Sequence, residues 1–119
     1  MERQLVKDLK EKDIFFRIVK GTEAPSHCPL MEPVKDFVLN SLVNISPKKT
    51  SIDFYSTFKS EKIDGNDLNN LYWWENLKNP IEFYKTISNL EEKDNYLYIE
   101  IGFEPILKSF IEEVLEEKN

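Results

Sequence analysis

Within residues 2–11, Leu5, Val6 and Leu9 recur at helical spacing, which predicts an amphipathic helix. The run Ile14-Phe15-Phe16-Arg17-Ile18-Val19 is short, β-branched and aromatic, as a strand requires, and Gly21 is placed to end that unit. Residues 22–33 hold Pro25, Pro29 and Pro33. Each removes a backbone donor and disfavours helix at the residue before it, so the segment reads as a rigid loop leading into a helix. Val34, Phe37, Val38 and Leu42 share one helical face, and Pro47 stops that pattern. Ile52, Phe54, Ser56 and Phe58 then alternate with Asp53, Tyr55 and Thr57, predicting a strand, with turn chemistry for a hairpin at Asp64-Gly65 beyond it.

Leu68, Leu71 and Tyr72 suit a short helix. Asn79-Pro80-Ile81-Glu82 reads as the start of another, offering an N-cap, a proline at the first helical position and a capping-box glutamate. Phe83, Tyr84, Ile87 and Leu90 give that helix its apolar face. Residues 96–101 are dense enough in large side chains to predict a strand buried on both sides, the kind found in parallel sheets. After Gly102, the positions Leu107, Phe110, Ile111, Val114 and Leu115 describe a final amphipathic helix with Pro105 near its start. The order is helix, strand, loop, helix, strand, two helices, strand, helix, an α/β pattern without internal repeat and with low complexity confined to the acidic tail.

Composition narrows the function classes. At 119 residues, 40% hydrophobic and 13% aromatic, the chain is of a size to form one folded domain. It holds no apolar run near the roughly 20 residues that span a bilayer, and its first residues lack the apolar core of a signal peptide, so the expectation is a soluble, cytoplasmic protein without a membrane partner. One cysteine, Cys28, makes no internal disulfide, and one histidine, His27, cannot with it complete the usual four-ligand zinc site, so no structural metal is expected. Twenty-two acidic against 16 basic residues give a net charge of -6, which opposes nonspecific attraction to phosphate backbones and disfavours nucleic acid.

The loop Ala24-Pro25-Ser26-His27-Cys28-Pro29-Leu30-Met31-Glu32-Pro33 resembles the motif of polyketide-synthase acyltransferase domains in which four specificity residues ending in histidine precede Ser-Pro-x-Met-x-Pro. Three further stretches agree in order and spacing. Ile52-Asp53-Phe54-Tyr55-Ser56-Thr57 resembles the family's strand ending in Tyr-Ser-Thr, with Ile63-Asp64-Gly65 following as it does there. Tyr72-Trp73-Trp74-Glu75-Asn76-Leu77, then Pro80-Ile81-Glu82-Phe83, resembles Tyr-Trp-x-x-Asn-Leu-x-x-Pro-Val-x-Phe. Ile99-Glu100-Ile101-Gly102-Phe103-Glu104-Pro105-Ile106-Leu107 resembles Val-Glu-Val-Gly-Pro-His-Pro-Val-Leu. Cys28 stands where the family has serine, and Phe103 and Glu104 where it has proline and histidine.

The resemblance implies the carboxy-terminal part of a malonyl-CoA:acyl carrier protein transacylase-like domain, an α/β-hydrolase-like large subdomain interrupted by a small ferredoxin-like one. Residues 1–20 are then the last helix and strand of the ferredoxin-like subdomain, 21–33 the catalytic-histidine loop, and 34–119 the closing part of the large subdomain. The nucleophile elbow Gly-His-Ser-x-Gly, the arginine that grips the acyl carboxylate and the oxyanion-hole glutamine have no counterparts here. The implied reaction moves a malonyl-type acyl group from coenzyme A to an acyl carrier protein, with no cofactor apart from the coenzyme A of the substrate. His27 is the implied general base, oriented by the backbone carbonyl of Asn76, and Ala24, Pro25 and Ser26 occupy the positions that help choose the acyl group. Partners so implied are the serine-bearing remainder of the domain, the carrier protein and a ketosynthase.

Other readings weigh against these. A base without a nucleophile performs no transfer, so the alternative is a non-catalytic docking module or an inactive fragment, and exposed sheet edges would then favour a homodimer. Cys28 adjoins His27, but neighbours in an extended loop point to opposite sides, which argues against a catalytic thiol. Of Trp73 and Trp74, this spacing expects one in the core and one at the surface. Lys48, Lys49, Lys59 and Lys62 could attract an acidic carrier protein but read equally as surface lysines, and Glu112, Glu113, Glu116 and Glu117 as a solvated helix face.

Overall fold

The computed structural model describes residues 2–16, 25–92, 96–102 and 104–117, with side chains from residue 4 onward. Helix α1 (Glu2–Glu11) ends on Asp13, whose φ of 52° is left-handed, while Ile14 N–H donates to the Leu9 carbonyl and Asp13 N–H to that of Lys10. These are the two bonds that satisfy the last carbonyls of a helix at a Schellman turn. The strand expected from Ile14 to Val19 is not formed over residues 14–16, which lie outside the two-stranded sheet, and its remainder lies outside the described residues.

The interior is built around a hairpin and two helices. Strand β1 (Phe54–Ser56) pairs antiparallel with β2 (Glu61–Ile63), in the register Phe54 to Ile63 and Ser56 to Glu61. The hairpin turn is residues 57–60, not Asp64-Gly65. Ser60 takes a left-handed φ of 57° and donates its N–H to the Ser56 carbonyl at 2.8 Å. Asp64 instead caps a short 3-10 helix (Gly65–Asp67) through Asn66 N–H. Gly65 is obligatory there, since a Cβ would lie 2.3 Å from the Lys48 carbonyl oxygen.

Helix α2 (Lys35–Ser41) follows a 3-10 helix (Pro29–Val34) and packs on α3 (Asn70–Lys78), which Asn69 caps by accepting from Tyr72 N–H. Tyr72 and Trp74 point inward. The Tyr72 hydroxyl donates to the buried Ser56 hydroxyl oxygen at 2.9 Å, joining α3 to the hairpin. Trp74 is fully buried while Trp73 lies at the surface, its indole N–H donating to the Leu68 carbonyl. Helix α4 (Phe83–Glu91) packs on α5 (Lys108–Glu117) with Ile87 and Val114 buried.

Helix α4 begins at Phe83 rather than at Pro80, because Asn79 terminates α3: its N–H and its side-chain amide both donate to the Glu75 carbonyl. Residues 79–82 form the connector, and Glu82 N–H donates to the Thr57 carbonyl at 2.7 Å.

Among the described residues the sheet has two strands, and the expected buried strand at 96–101 is absent. That segment lies outside the two-stranded sheet. Its Tyr96, Leu97, Tyr98 and Glu100 line a groove of about 380 Å³ against Ile111 and Leu115 of α5, yet Leu97, Ile99 and Ile101 are 88%, 77% and 96% exposed. The Tyr98 hydroxyl bonds the Glu91 carboxylate, and its phenol is held well above its ordinary range by burial and by that carboxylate. A strand is fixed by its neighbours' hydrogen bonds, and none of the described segments supplies them.

Much apolar surface is open elsewhere too, including Leu30, Phe37 and Ile52. The accessible surface is 10109 Å² and the radius of gyration 17.7 Å. A compact monomer of this length has about 6,700 Å² and about 13.5 Å.

Candidate functional site

The end of α3 supplies the frame for His27. A helix leaves its last carbonyls without intrahelical donors, and two of those around this terminus are taken by one residue. His27 N–H donates to the Leu77 carbonyl at 2.9 Å, and the ring Nδ1–H donates to the Asn79 carbonyl oxygen at 3.0 Å. To make both bonds the chain turns through a left-handed φ of 55° at His27, a conformation costly for a residue with a Cβ and held only where its surroundings impose it. Cys28 then returns to extended backbone and its carbonyl accepts from Met31 N–H, starting the 3-10 helix.

The tautomer follows from the acceptor. A carbonyl oxygen can only accept, so Nδ1 carries the hydrogen, and in the neutral ring Nε2 holds the lone pair. The side chain is half-buried. An imidazole locked in this way can take a proton at Nε2 and return it, the task of a general base and acid.

The loop is tied to α3 a second time by charge. Glu32 lies 2.8 Å from the Lys78 ammonium and 3.9 Å from that of Lys35. The bond from Lys78 holds the Glu32 carboxyl below its ordinary range, and the same bond raises Lys78. Lys78 also sits 5.9 Å from the centre of the Trp74 ring, so the ion pair stands directly over the buried indole.

Of the residues singled out from sequence, His27 is half-buried with its ring Nδ1 on a backbone carbonyl. The carbonyl that orients it belongs to Asn79, not to Asn76, which sits half-buried one turn back within α3. The Leu77 carbonyl, one residue beyond Asn76, is taken by His27 N–H, and the ring reaches on to the Asn79 carbonyl. Pro25 and Ser26 are exposed just before His27, and Ala24 lies outside the described residues. Cys28 is a half-buried free thiol. Lys62 is paired with Asp53 at 2.6 Å, which removes it from the lysine cluster as a free cation. Glu32, Glu75, Lys78 and Asn79 escaped the sequence reading as site residues. The signal for Asn79 was present in Pro80, which restricts the residue before it to extended backbone and so marks where α3 must end. Among the described residues no group of three or more His, Cys, Asp or Glu side chains could hold a metal ion, and no helix is long and apolar enough to cross a membrane.

Comparison with known proteins adds ancestry to this geometry. The family model described as acyl transferase domain matches residues 3–119. Erythronolide synthase EryA2 of Saccharopolyspora erythraea is 32% identical over 92 residues, 77% of this chain and 3% of the synthase. Probable polyketide synthase 22 of Dictyostelium discoideum is 31% identical over 117 residues, covering 92% of this chain and 5% of that protein. Among solved structures, a loading acyltransferase from the avermectin modular polyketide synthase superposes with a TM-score of 0.90 at 24% identity, over 98% of this chain and 36% of that one. The fold is therefore shared with part of an acyltransferase, and the chain spans a small fraction of the synthases it matches.

Proposed function

The chain belongs to the acyl transferase domain family, and from that premise we propose that it is the histidine-bearing, carboxy-terminal part of a polyketide-synthase acyltransferase that moves a malonyl-type acyl group from coenzyme A to an acyl carrier protein. The observation that carries this reading is the His27 ring, held through Nδ1–H on the Asn79 carbonyl so that Nε2 is left to exchange protons. Residues 1–20 are read as the end of a ferredoxin-like subdomain, 21–33 as the histidine loop, and 34–119 as the remainder of the large α/β subdomain, with Ala24, Pro25 and Ser26 lining the acyl site.

In this reaction a serine on the complementary part of the domain attacks the thioester carbonyl and passes its proton to His27 Nε2. Collapse of the tetrahedral intermediate expels the coenzyme A thiolate, which takes that proton, and leaves the acyl group on serine. The carrier thiol then gives its proton to Nε2 and attacks the acyl-serine, and the departing seryl oxygen recovers the proton. His27 thus ends each cycle as it began, with Nδ1–H on its carbonyl throughout.

The surface supports a complementary part. An accessible area some 3,400 Å² above that of a compact monomer is more than a standard stable interface buries, and the exposed side chains include large apolar ones such as Leu30, Phe37 and Ile101. The serine-bearing remainder of the domain is the occupant this reading requires; a second copy of the chain is the competitor, and carrier protein and ketosynthase are the further partners. To test it, the chain is mixed with a separately expressed serine-bearing part and malonyl coenzyme A, and intact masses are followed with time. The acyl adduct forms on the partner only in the mixture, and His27→Ala slows it at least about a hundredfold, the low end of general-base effects. Equal rates with and without His27 would leave a docking module in its place.

A further inference from the structure

If the direction of the His27 ring depends on the Asn79 carbonyl, whatever fixes that carbonyl fixes the base. Pro80 confines Asn79 to extended backbone, but over a range of about 40° in ψ, wide enough to swing the carbonyl off the ring. Asn79 sits at φ -86° and ψ 157°, within that range. Its N–H is bonded to the Glu75 carbonyl at 2.9 Å. The residue is also gripped by its side chain: the Asn79 amide donates one bond to the Glu75 carbonyl at 2.8 Å and a second to the Glu75 carboxylate at 2.7 Å. Both residues are half-buried, where water competes less with such bonds. Nothing in the helix itself demands this strut, because the backbone bond alone closes the last turn.

We infer that Glu75 is a positioning residue for His27, acting through the Asn79 side chain to hold the Asn79 carbonyl on the ring Nδ1–H. Its importance for transfer rests on the reading of His27 as the base; its effect on the ring does not. The carboxylate acts as an acceptor in a fixed place rather than as a charge, so an amide in the same place retains the function.

The single histidine makes the test direct, since the ring nitrogens seen by long-range proton–nitrogen NMR of the full chain belong to His27 alone. In the wild type Nδ1 carries the hydrogen. Glu75→Ala lowers the ratio of the Nδ1–H to the Nε2–H tautomer about fivefold, the scale of one net hydrogen bond. Asn79→Ala, which keeps the backbone carbonyl, lowers it equally, the double variant lowers it no further, and Glu75→Gln restores it. Unchanged ratios in both alanine variants, with helix content intact by circular dichroism, would overturn the inference. Should those variants unfold, Glu75→Gln against Asn79→Asp decides: the first keeps the acceptor and the wild-type ratio, the second replaces the donor and loses it, and equal ratios refute the strut. A shifted tautomer with undiminished acyl transfer by the reconstituted pair would instead refute His27 as the base and leave the strut standing.

Discussion

Two stretches of similar apolar density meet different fates. Residues 71–74 place Tyr72 and Trp74 in the interior, against a hairpin in which Ser56, 16 residues upstream of Tyr72, meets its hydroxyl and Phe58 its ring at 6.0 Å. Residues 97–101 leave Leu97, Ile99 and Ile101 largely exposed, with α5 across the groove and Glu91 of α4 on the Tyr98 hydroxyl. Both stretches carry the same demand for burial, which is a property of their side chains. Supply differs: among the described residues the first finds partners on the hairpin, and the second finds a helix on one face and no strand at its edges. A hydrophobic pattern therefore states a demand for burial without reporting whether the chain itself meets it.

The largest effect that could break this comparison is at Trp74. If the interior is centred there, Trp74→Ala costs about 3–5 kcal/mol, measured by urea unfolding. The indole N–H has no partner among the described residues, so the loss is one of packing and carries no hydrogen-bond contribution. A cost below about 1 kcal/mol would mean that α3 and the hairpin are not the stable half.

A smaller effect sharpens the boundary of that half by asking whether the His27 loop belongs to it. The Glu32 carboxyl is held below its ordinary 4.5 by the Lys78 ammonium, so the pair contributes stability above that value and loses it as pH falls through the lowered one. Lys78 is raised above its ordinary 10.5, so on the alkaline side the contribution is kept until pH passes the raised value. The stability difference between wild type and Lys78→Met is thus flat between about pH 6 and about pH 9 and shrinks below about pH 4, and it is reduced by salt because the pair is exposed. A difference that persists undiminished in acid would show that Lys78 acts by packing on Trp74 instead.

The same contrast marks what could be read from sequence. Helical faces were legible wherever one chain supplies both sides, as at Tyr72, Ile87 and Val114, and so was the division of the two tryptophans between core and surface. The junction at 79–82 was misread because asparagine before proline suits both a helix end and a helix start, and only the Glu75 acceptor, four residues back, decides between them. The hairpin turn was misplaced because a left-handed serine replaced the expected glycine, stabilised by Asn89 donating to the Ser60 carbonyl from α4. His27 stood out by its flanking prolines and motif. Its orienting carbonyl did not, because a backbone acceptor has no side-chain signature, and the resemblance implied Asn76, three residues before the Asn79 that the ring meets.

The smallest expected change in the chain's own stability is the one that tests the second stretch. Ile99→Ser with Ile101→Ser alters unfolding of the isolated chain by no more than about 0.5 kcal/mol, as surface substitutions do, because neither side chain is withdrawn from water. Against the serine-bearing part the same pair of changes is costly. Each isoleucine covered on association contributes about 1.5–3 kcal/mol through removal of apolar surface, so affinity measured by titration calorimetry falls at least about a hundredfold. The two readouts must separate. If both stay flat, the segment faces water in the assembled domain and the complement binds elsewhere; if the isolated chain is itself destabilised by several kcal/mol, residues 97–101 are covered by a second copy, which concentration-dependent sedimentation distinguishes directly. Only a null effect alone together with a large effect on association identifies these side chains as half of an interior whose other half another chain provides.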